Sequence, residues 1–415
     1  MQADSRPIAA QCLILALIFC TLLLGGCATG YWASAPDSPD NNFYKNQKLT
    51  LPLKVSWIKP LINYGQDVPF RPLEYASPII GESHVYVGVS TGHFFALNKI
   101  TGSIQWRFDA YGPVDGAPAI AGNIIVFGDS DGMVYGLDRR TGFAKWTYKP
   151  LGEILGRPLI ENGKVYFSTS YNRVYCLDMN DGKWVWMHQR DIPGTFTVKG
   201  VAGIVIDKEL LFAGFSDGYI VALDPASGRE KWKNLLNIGE QLTDVDSTPT
   251  VGGDFVYVAA YDGNLYGLGR NDGEVRWKLE GGESVSKAAL KGDVLYVSTS
   301  MGDVIAVDKF SGRKIWEMDI RQEDRSHSLA KGPIRRRKNA NSPVIIKDTL
   351  ITASNHGYLY ALDIENGDVK WRWYPGIGVS GNFAVDSGRI YFLGNAGQLF
   401  SFLLESPIFE SISIN

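Results

Sequence analysis

Short runs of alternating apolar and polar residues recur along most of the chain, and each run ends in a tight turn. Residues 126–146 show the unit: a strand, an Asp-Gly turn at 131–132, a second strand over 133–138, a Thr-Gly turn at 141–142, and a third strand that reaches Trp146. Alternation with a period of two is typical of half-buried β-strands. Its regular recurrence indicates an all-β repeat architecture.

Glycine and tryptophan keep fixed distances in seven copies of this unit. The second-turn glycine precedes the tryptophan by four residues at Gly102 with Trp106, Gly142 with Trp146, Gly182 with Trp186, Gly228 with Trp232, Gly273 with Trp277, Gly312 with Trp316 and Gly367 with Trp371. The first-turn residue precedes the same tryptophan by fourteen at Gly92, Gly132, Asn172, Gly218, Gly263, Gly302 and Gly357. These turns need a positive φ, which glycine adopts freely and asparagine at little cost.

An eighth copy is divided between the two ends of the chain. Residues 390–402 supply two strands with no tryptophan after them, and residues 54–57 supply a strand that ends in Trp57. Joining these pieces closes a ring and removes its free sheet edges. A short apolar run precedes each unit, as at 77–80 and 342–345, and supplies an innermost strand. The sequence therefore predicts an all-β, eight-bladed β-propeller with four antiparallel strands per blade.

Two sets of repeated side chains invite a functional interpretation. A ring of tryptophans resembles a ligand-stacking set, but one tryptophan per blade at a fixed place is what packing between blades requires. An aspartate stands four residues before the second-turn glycine at Asp138, Asp178, Asp224, Asp308 and Asp363, while Asn98 and Gly269 replace it in two blades. We interpret this residue as a turn cap and assign it no chemistry.

The N-terminus has the features of an export signal. Arg6 precedes an apolar run over 12–24, which is short for a membrane span. The run ends in Leu-Gly-Gly-Cys at 24–27, which resembles the lipobox of bacterial lipoproteins and predicts a diacylglycerol on Cys27. The alternative is an ordinary secretory signal in which this cysteine is incidental. Ala28 follows, and aspartate at that place is associated with inner-membrane retention, so the sequence favours the outer membrane.

Three regions are therefore expected along the chain. Residues 1–26 form a lipoprotein signal peptide, residues 27–50 the lipidated cysteine and a flexible tether, and residues 51–415 the eight-bladed propeller. Each buried methylene of an acyl chain contributes about 0.8 kcal/mol, so several chains on one cysteine anchor stably. The expected location is the outer membrane, lipid-anchored and facing the periplasm.

Composition and charge exclude several function classes. The formal net charge of −3 gives no global electrostatic reason to bind nucleic acid. Cys12 and Cys20 leave with the signal, so Cys176 is the one thiol of the propeller, and its strand context favours a buried structural role. Five histidines lack metal-ligand spacing, and no hydrolase or phosphate-loop motif is present. We expect no metal and no cofactor.

An enzymatic alternative comes from the repeat itself. Residues 137–146 resemble the tryptophan-docking motif of pyrroloquinoline-quinone dehydrogenases, which are also eight-bladed. Those enzymes are generally longer, and many hold the quinone with a vicinal disulfide and a calcium ion. One cysteine and no evident carboxylate cluster favour a non-catalytic protein here. A quinone-dependent periplasmic dehydrogenase, or another propeller binding module, is the alternative.

Three segments lengthen the repeat, at 189–203, 240–249 and 321–338. The spacing between tryptophans rises from 40 residues to 46, 45 and 55 at these places. Function on a propeller resides in what is added to its scaffold, so these insertions are the candidate binding segments. The basic cluster at 335–338 in the third insertion is interpreted as a solvated loop.

The second insertion carries a family resemblance. Residues 242–249, followed by Tyr257 and Gly-Asn-Leu at 263–265, are similar to the corresponding segment of the BamB family, the lipoprotein propellers of the β-barrel assembly machinery. Lipobox, tether, strand-swapped closure and eight blades agree with that family over nearly the whole chain. The resemblance implies that the loop aspartates, here Asp244 and Asp246, contact the periplasmic POTRA region of the barrel protein BamA.

The resemblance also implies a contact from the first insertion. The leucines and arginine of the family's motif fall on Phe196, Val198 and Lys199, and a lysine cannot make the bidentate fork of arginine. The residues alone leave alternatives open: Asp244 and Asp246 would cap a turn, and the two apolar side chains would pack within a blade.

The function implied is that of a non-catalytic scaffold of the outer-membrane assembly machinery. It would bind the POTRA region of a BamA-type partner and assist the insertion of β-barrel proteins into the outer membrane. Exposed blade edges are a further candidate surface, for unfolded outer-membrane proteins, through β-augmentation.

Overall fold

A computed structural model describes residues 43–44, 47–63, 73–192, 202–236, 244–245, 247–280, 286–320, 340–355, 357–386 and 388–405. They form eight antiparallel four-stranded sheets, and one of these sheets carries a fifth, parallel strand. The predicted eight-bladed all-β propeller is confirmed. Within the described residues, no helix is long and apolar enough to span a membrane.

The strands follow the chain blade by blade. The first segments are β1 (Phe43–Tyr44) and β2 (Lys54–Pro60). Blades 1 to 4 are β3 (Ile79–Ile80), β4 (His84–Gly88), β5 (His93–Asn98), β6 (Ile104–Asp109); β7 (Ala119–Ala121), β8 (Ile124–Gly128), β9 (Val134–Asp138), β10 (Ala144–Tyr148); β11 (Leu159–Glu161), β12 (Lys164–Thr169), β13 (Arg173–Asp178), β14 (Trp184–Gln189); and β15 (Val205–Asp207), β16 (Leu210–Gly214), β17 (Tyr219–Leu223), β18 (Glu230–Leu235).

Blades 5 to 7 continue the same order, and blade 8 ends the chain. Their strands are β19 (Thr250–Gly252), β20 (Phe255–Ala259), β21 (Asn264–Gly269), β22 (Val275–Glu280); β23 (Ala289–Lys291), β24 (Val294–Ser298), β25 (Asp303–Asp308), β26 (Lys314–Asp319); β27 (Val344–Ile346), β28 (Thr349–Ala353), β29 (Leu359–Asp363), β30 (Val369–Trp373); and β31 (Ala384–Asp386), β32 (Arg389–Gly394), β33 (Gln398–Leu403). First strands of neighbouring blades contact one another, which places them around the central axis.

Blade 8 closes the ring with strands from both ends of the chain. Strand β2 pairs antiparallel with β33, so that Trp57 lies opposite Ser401. The side chain of Arg389 on the neighbouring strand donates to the hydroxyl of Ser56 at 2.5 Å. The predicted closure of the eighth blade by the two chain ends is confirmed.

The N-terminal segment reaches further into the ring than the predicted tether allows. Strand β1, within the predicted tether at 27–50, pairs in parallel with β27 of blade 7. The amide of Thr50 donates to the carbonyl of Leu404 at 2.7 Å, and Tyr44 is buried in the core between blades 7 and 8. Contact with the ring therefore begins by residue 43, because Tyr44 and the residues after it find backbone partners and apolar neighbours there.

Each outer strand contains a β-bulge directly before its tryptophan. The bulge shifts the register by one residue in all eight blades. The extra residue re-aims the following side chain. Seven of the indoles then donate to a backbone carbonyl of the next blade, from Trp57, Trp106, Trp146, Trp186, Trp232, Trp277 and Trp316 at 2.8–3.3 Å. The tryptophans thus pack between blades, as predicted.

The repeated aspartates cap the turn between the third and fourth strands. The carboxylate of Asp138 accepts hydrogen bonds from the amides of Arg140 and Thr141 at 3.0 and 3.1 Å. Hydrogen bonds from Ser311 hold the pKa of Asp308 below its ordinary value. These contacts confirm the interpretation of this residue as a turn cap.

Because successive strands of a blade are antiparallel, the connections between them alternate between the two faces of the ring. Turns between the second and third strands and the connections between blades lie on one face, here called the linker face. Turns that join the third strand to the fourth lie on the opposite face, here called the turn face. All three predicted insertions fall between the last strand of one blade and the first strand of the next, so the described residues that flank them lie on the linker face.

Candidate functional site

The structure describes one of the six predicted functional residues. Cys27, Phe196, Val198, Lys199 and Asp246 lie outside the described residues, and Asp244 lies within them. The described contacts of the candidate site are therefore those of the residues that flank the first and second insertions, at blades 3 to 5.

The first insertion leaves blade 3 through a polar junction at Arg190. Its guanidinium Nε lies 2.7 Å from a carboxylate oxygen of Asp217, and both side chains are about nine-tenths shielded from solvent, at 13% and 14% exposure. The guanidinium carbon also lies 4.1 Å from the ring centroid of Tyr219. Ion pairing and a cation–π contact therefore hold the start of the insertion against blade 4.

Asn172 completes this junction. Its side-chain amide donates to the carbonyl of Asp191 at 2.8 Å, and its side-chain oxygen accepts from the amide and hydroxyl of Ser216 at 3.0 and 2.8 Å. Its backbone carbonyl accepts from the amide of Arg190 at 2.9 Å. A single buried side chain thus joins blade 3, the insertion and blade 4.

The far end of the first insertion is fixed to the second. The hydroxyl of Ser168 donates to the carbonyl of Ala202 at 2.6 Å. The amide of Gly203 donates to the hydroxyl of Thr248, which lies in the second insertion, at 3.0 Å. The two segments that the sequence singled out are therefore in direct contact on the linker face.

The second insertion is held by the blades on both sides of it. The amide of Val245 donates to the carbonyl of Phe215 in blade 4 at 3.0 Å. The carbonyl of Asp244 accepts from the amide of Tyr261 in blade 5 at 2.8 Å. Ser247 exchanges two hydrogen bonds with the backbone of Ala259, at 2.7 and 3.1 Å. The described part of this loop is rigidly seated.

Asp244 is 1% exposed, so its side chain is buried beneath the surface of the linker face. The described geometry makes it part of the support of the loop. Asp246 lies outside the described residues, so the pairing of the two aspartates stays a prediction.

Exposed apolar side chains lie in the turns and connections of the linker face from blade 1 to blade 4. They are Tyr111, Leu151, Tyr171 and Ile192, at 80%, 57%, 49% and 51% exposure. A β-carbon at Gly152 would lie 2.8 Å from the Tyr171 ring, so this ring packs against the backbone at Gly152. The sequence analysis did not identify these residues or the Arg190 junction. The signal that could have found the junction is Asn172, which stands where the other complete units have glycine.

Comparison with known sequences gives a consistent result. The family model described as outer membrane protein assembly factor BamB matches residues 71–152, 96–317 and 239–406. The outer membrane protein assembly factor BamB of Pseudomonas aeruginosa is 33% identical over 396 residues, which cover 94% of this chain and 98% of that protein. The protein of the same name from Shewanella oneidensis is 24% identical over 224 residues, 52% of each chain.

Two solved structures are similar to this chain, one from the same family and one that shares only the fold. BamB from Moraxella catarrhalis superposes with a TM-score of 0.68 at 26% identity, covering 85% of this chain and 99% of that one. A europium-containing methanol dehydrogenase gives 0.67 at 15% identity, covering 89% and 99%, which shows a shared fold alone. Since the family model and a relative of 33% identity both extend across the propeller, the chain belongs to the BamB family of outer membrane protein assembly factors.

Proposed function

We propose that this chain is a non-catalytic scaffold that binds the POTRA region of a BamA-type barrel protein and assists the assembly of β-barrel proteins into the outer membrane. The observation that carries the proposal is the hydrogen bond from Gly203 to Thr248, because it joins two insertions into one surface on one face of a closed ring. Family membership supplies the class of partner.

The mechanism is presentation of two segments whose described ends are held by the blades. Both ends of the first insertion and the described part of the second are hydrogen-bonded to the blades. Fixed ends reduce the conformational entropy that a segment loses on binding, so more of the contact energy appears as affinity. No step of bond making or breaking is assigned to the ring.

Different roles are proposed for the candidate residues. Phe196, Val198 and Lys199 supply apolar and basic contacts from the first insertion, and Asp246 supplies a carboxylate from the second. Asp244 is buried, so it acts by holding the backbone of the loop. Lysine offers a point charge where arginine would offer a fork, so the pairing with the partner is less directional.

Anchoring follows from the N-terminus. A lipid on Cys27 holds the ring at the outer membrane, facing the periplasm, and residues 28–42 connect the lipid to β1. Unfolded outer-membrane proteins would meet the exposed edges of the blades by adding a strand, which keeps clients close to the assembly site.

The test compares three variants by calorimetry against the POTRA region of the BamA protein from the same bacterium. Lys199→Glu and Asp246→Ala should weaken binding at least about tenfold without lowering the melting temperature, since losing a buried interfacial charge costs about 2–5 kcal/mol. Asp244→Ala should lower both affinity and melting temperature, because its side chain is buried within the ring.

A matched control carries two carboxylate losses on the turn face, Asp181→Ala with Asp368→Ala, at exposed positions. It should bind like the wild type. Unchanged affinity in both Lys199→Glu and Asp246→Ala would remove the joined insertions as the partner surface. Absence of any binding by the wild type would overturn the proposed partner itself.

A further inference from the structure

Strand β14, the outer strand of blade 3, differs from the other outer strands in its charge. It has the sequence Trp-Val-Trp-Met-His-Gln and contains no lysine, arginine, aspartate or glutamate. Charged side chains on an edge strand oppose pairing with another chain, so β14 lacks a protection that the other edges have. Each of the other outer strands carries an exposed lysine or arginine, at Lys54, Arg107, Lys145, Lys231, Arg276, Lys314 and Lys370.

The charged residues at the two ends of β14 are compensated by partners. Lys183, directly before the strand, lies 2.6 Å from a carboxylate oxygen of Asp181. Arg190, directly after it, is shielded and pairs with Asp217 at 2.7 Å. Burial holds the pKa of His188 below its ordinary value, so its imidazole is neutral at pH 7.5. The edge between these two ion pairs therefore presents no net charge.

The backbone of β14 offers hydrogen-bonding groups on its outer side. The amide of Arg190 donates to the carbonyl of Asn172, next to β13, at 2.9 Å. Because backbone groups alternate along an antiparallel strand, those of His188 also face β13, whereas those of Met187 and Gln189 face away from it. In the described part of the chain, no strand pairs with that outer side. An added strand would find both donors and acceptors there.

Exposed apolar side chains lie on the same strand. Trp184 is 58% exposed and Met187 is 37% exposed. Tryptophan often carries a large share of the binding energy at a protein interface. In the other outer strands, the residue two before the packed tryptophan is smaller than Trp184: Val55, Ile104, Ala144, Glu230, Val275, Lys314 and Val369.

We propose that β14 is the edge at which the ring accepts an extended segment of an unfolded β-barrel protein as an added strand. The inference rests on the proposed function and narrows its client contact from all blade edges to one. An edge without charge, with Trp184 and Met187 exposed, fits a segment that is itself uncharged and has apolar side chains at alternate positions, as in a membrane-spanning β-strand. Strand β14 ends at the Arg190 junction, so a bound client would lie beside the candidate partner site.

The test measures binding of a fluorescent peptide to the full mature chain in a soluble form with Cys27→Ser. The peptide alternates valine with threonine over about ten residues, the length of a membrane-spanning strand. Met187→Lys gives β14 the kind of charge that the other edges carry. Thr147→Lys is the matched control, because Thr147 is exposed and also directly follows the packed tryptophan, on a strand that already carries Lys145. Peptide affinity, affinity for the BamA POTRA region and melting temperature are measured on each protein.

Met187→Lys should weaken peptide binding at least about tenfold, since a covering strand must desolvate the lysine. Its POTRA affinity and melting temperature should equal those of the wild type, and Thr147→Lys should leave all three readouts unchanged. Trp184→Lys, on the same strand, should act like Met187→Lys, which frees the test from dependence on one substitution. Wild-type peptide affinity in both β14 variants overturns the assignment, and so does equal weakening by Thr147→Lys.

The two proposals fail in different ways. If the wild type binds the POTRA region but not the peptide, the inference about β14 is overturned and the proposed partner stands. If it binds the peptide through β14 but not the POTRA region, the proposed partner is overturned and the edge assignment stands.

A second pair of measurements tests strand addition itself. The same peptide with N-methyl groups on its amides keeps its side chains but cannot donate to the edge, so it should bind at least about tenfold more weakly. Equal binding by the methylated peptide would show apolar contact alone and overturn the proposal. Light scattering without peptide tests the other occupant: a wild-type dimer that Met187→Lys dissociates would assign β14 to a second copy of this chain and overturn the client.

Discussion

Buried polar side chains on the linker face attach the connections between blades to the turns beneath them. Asp129 is fully buried, and its carboxylate accepts from the amides of Met133 and Gly112 and from the hydroxyl of Tyr135 at 2.7–3.1 Å. Glu74, also fully buried, accepts from Ser90 at 2.6 and 2.9 Å. Asn172 uses the same device, but the connection that it attaches is an insertion.

Cys176 is also buried, but it is an unreactive group. It is fully buried, and burial raises the pKa of its thiol to about 11. The thiol is therefore protonated at neutral pH and a poor nucleophile. We expect a thiol reagent at pH 7.5 to leave Cys176 unmodified in the folded ring and to label it once denaturant is added.

The measurement uses a soluble form with Cys27→Ser, so that Cys176 is the one thiol of the mature protein. Asn180→Cys, on an exposed turn of the same blade, is the positive control and should be labelled at once. Labelling of native Cys176 at the rate of the control would show that the thiol is accessible, contrary to its burial.

At the scale of the blade, the contact between tryptophan and glycine determines how neighbouring sheets meet. The ring of Trp146 covers Gly182 of the next blade so closely that a β-carbon there would lie 2.7 Å from it. The indole N–H also donates to the carbonyl of Met179 in the same turn at 2.8 Å. Glycine is thus needed twice, for its φ of 68° and for the space that the indole occupies.

Two alanine substitutions in blade 3 separate these needs. Gly163→Ala meets a φ of 73° with nothing within 4 Å, so it should cost roughly 1–2 kcal/mol for the left-handed backbone alone. Gly182→Ala adds a collision with Trp146 and should cost a further 1–3 kcal/mol or so. Denaturant titration followed by tryptophan fluorescence measures both, and equal losses would mean that the indole moves aside freely.

For the whole molecule, the fold was predictable because its constraints are local and repeated. A positive φ before each tryptophan admits glycine or asparagine, so the spacing of Gly142 and Trp146 recurs wherever a blade recurs. The split eighth copy followed from one tryptophan without strands before it and two strands without a tryptophan after them. Strand β2 pairs with β33 as that pattern required.

Less of the candidate site was predictable, because its contacts join residues that no repeat relates. The hydrogen bond from Gly203 to Thr248 and the pair of Arg190 with Asp217 depend on how two blades lie side by side. Burial of Asp244 likewise depends on the turns of its neighbours, so the sequence could name this residue as a candidate without revealing that its side chain is buried. Strand β1 was missed because a two-residue parallel pairing leaves no periodic pattern.

Closure makes the stability of the ring depend on β2, the strand of blade 8 that comes from the N-terminal end of the chain. Strand β2 covers β33, where Phe400 and Phe402 are buried, and Trp57 covers Gly102 and donates to Lys99 of blade 1. Removing this strand would expose the edge of β33. It would also remove the contact between blade 8 and blade 1. Opening the ring at this place leaves blades 8 and 1 with uncovered faces at the two ends of an open array, so the effect extends beyond the strand itself.

Two truncations of a soluble form test this dependence. Deletion of residues 28–57 should destabilise the entire ring, because it removes β1, most of β2 and the partly buried Trp57 that packs between blades 8 and 1. Deletion of residues 28–42 retains β1 and β2 and should melt like the full mature chain. Calorimetric scans of both proteins at one concentration give the comparison. A shared melting temperature would show that the ring stands without its N-terminal strand, and that the pairing of β2 with β33 closes the propeller without stabilising it.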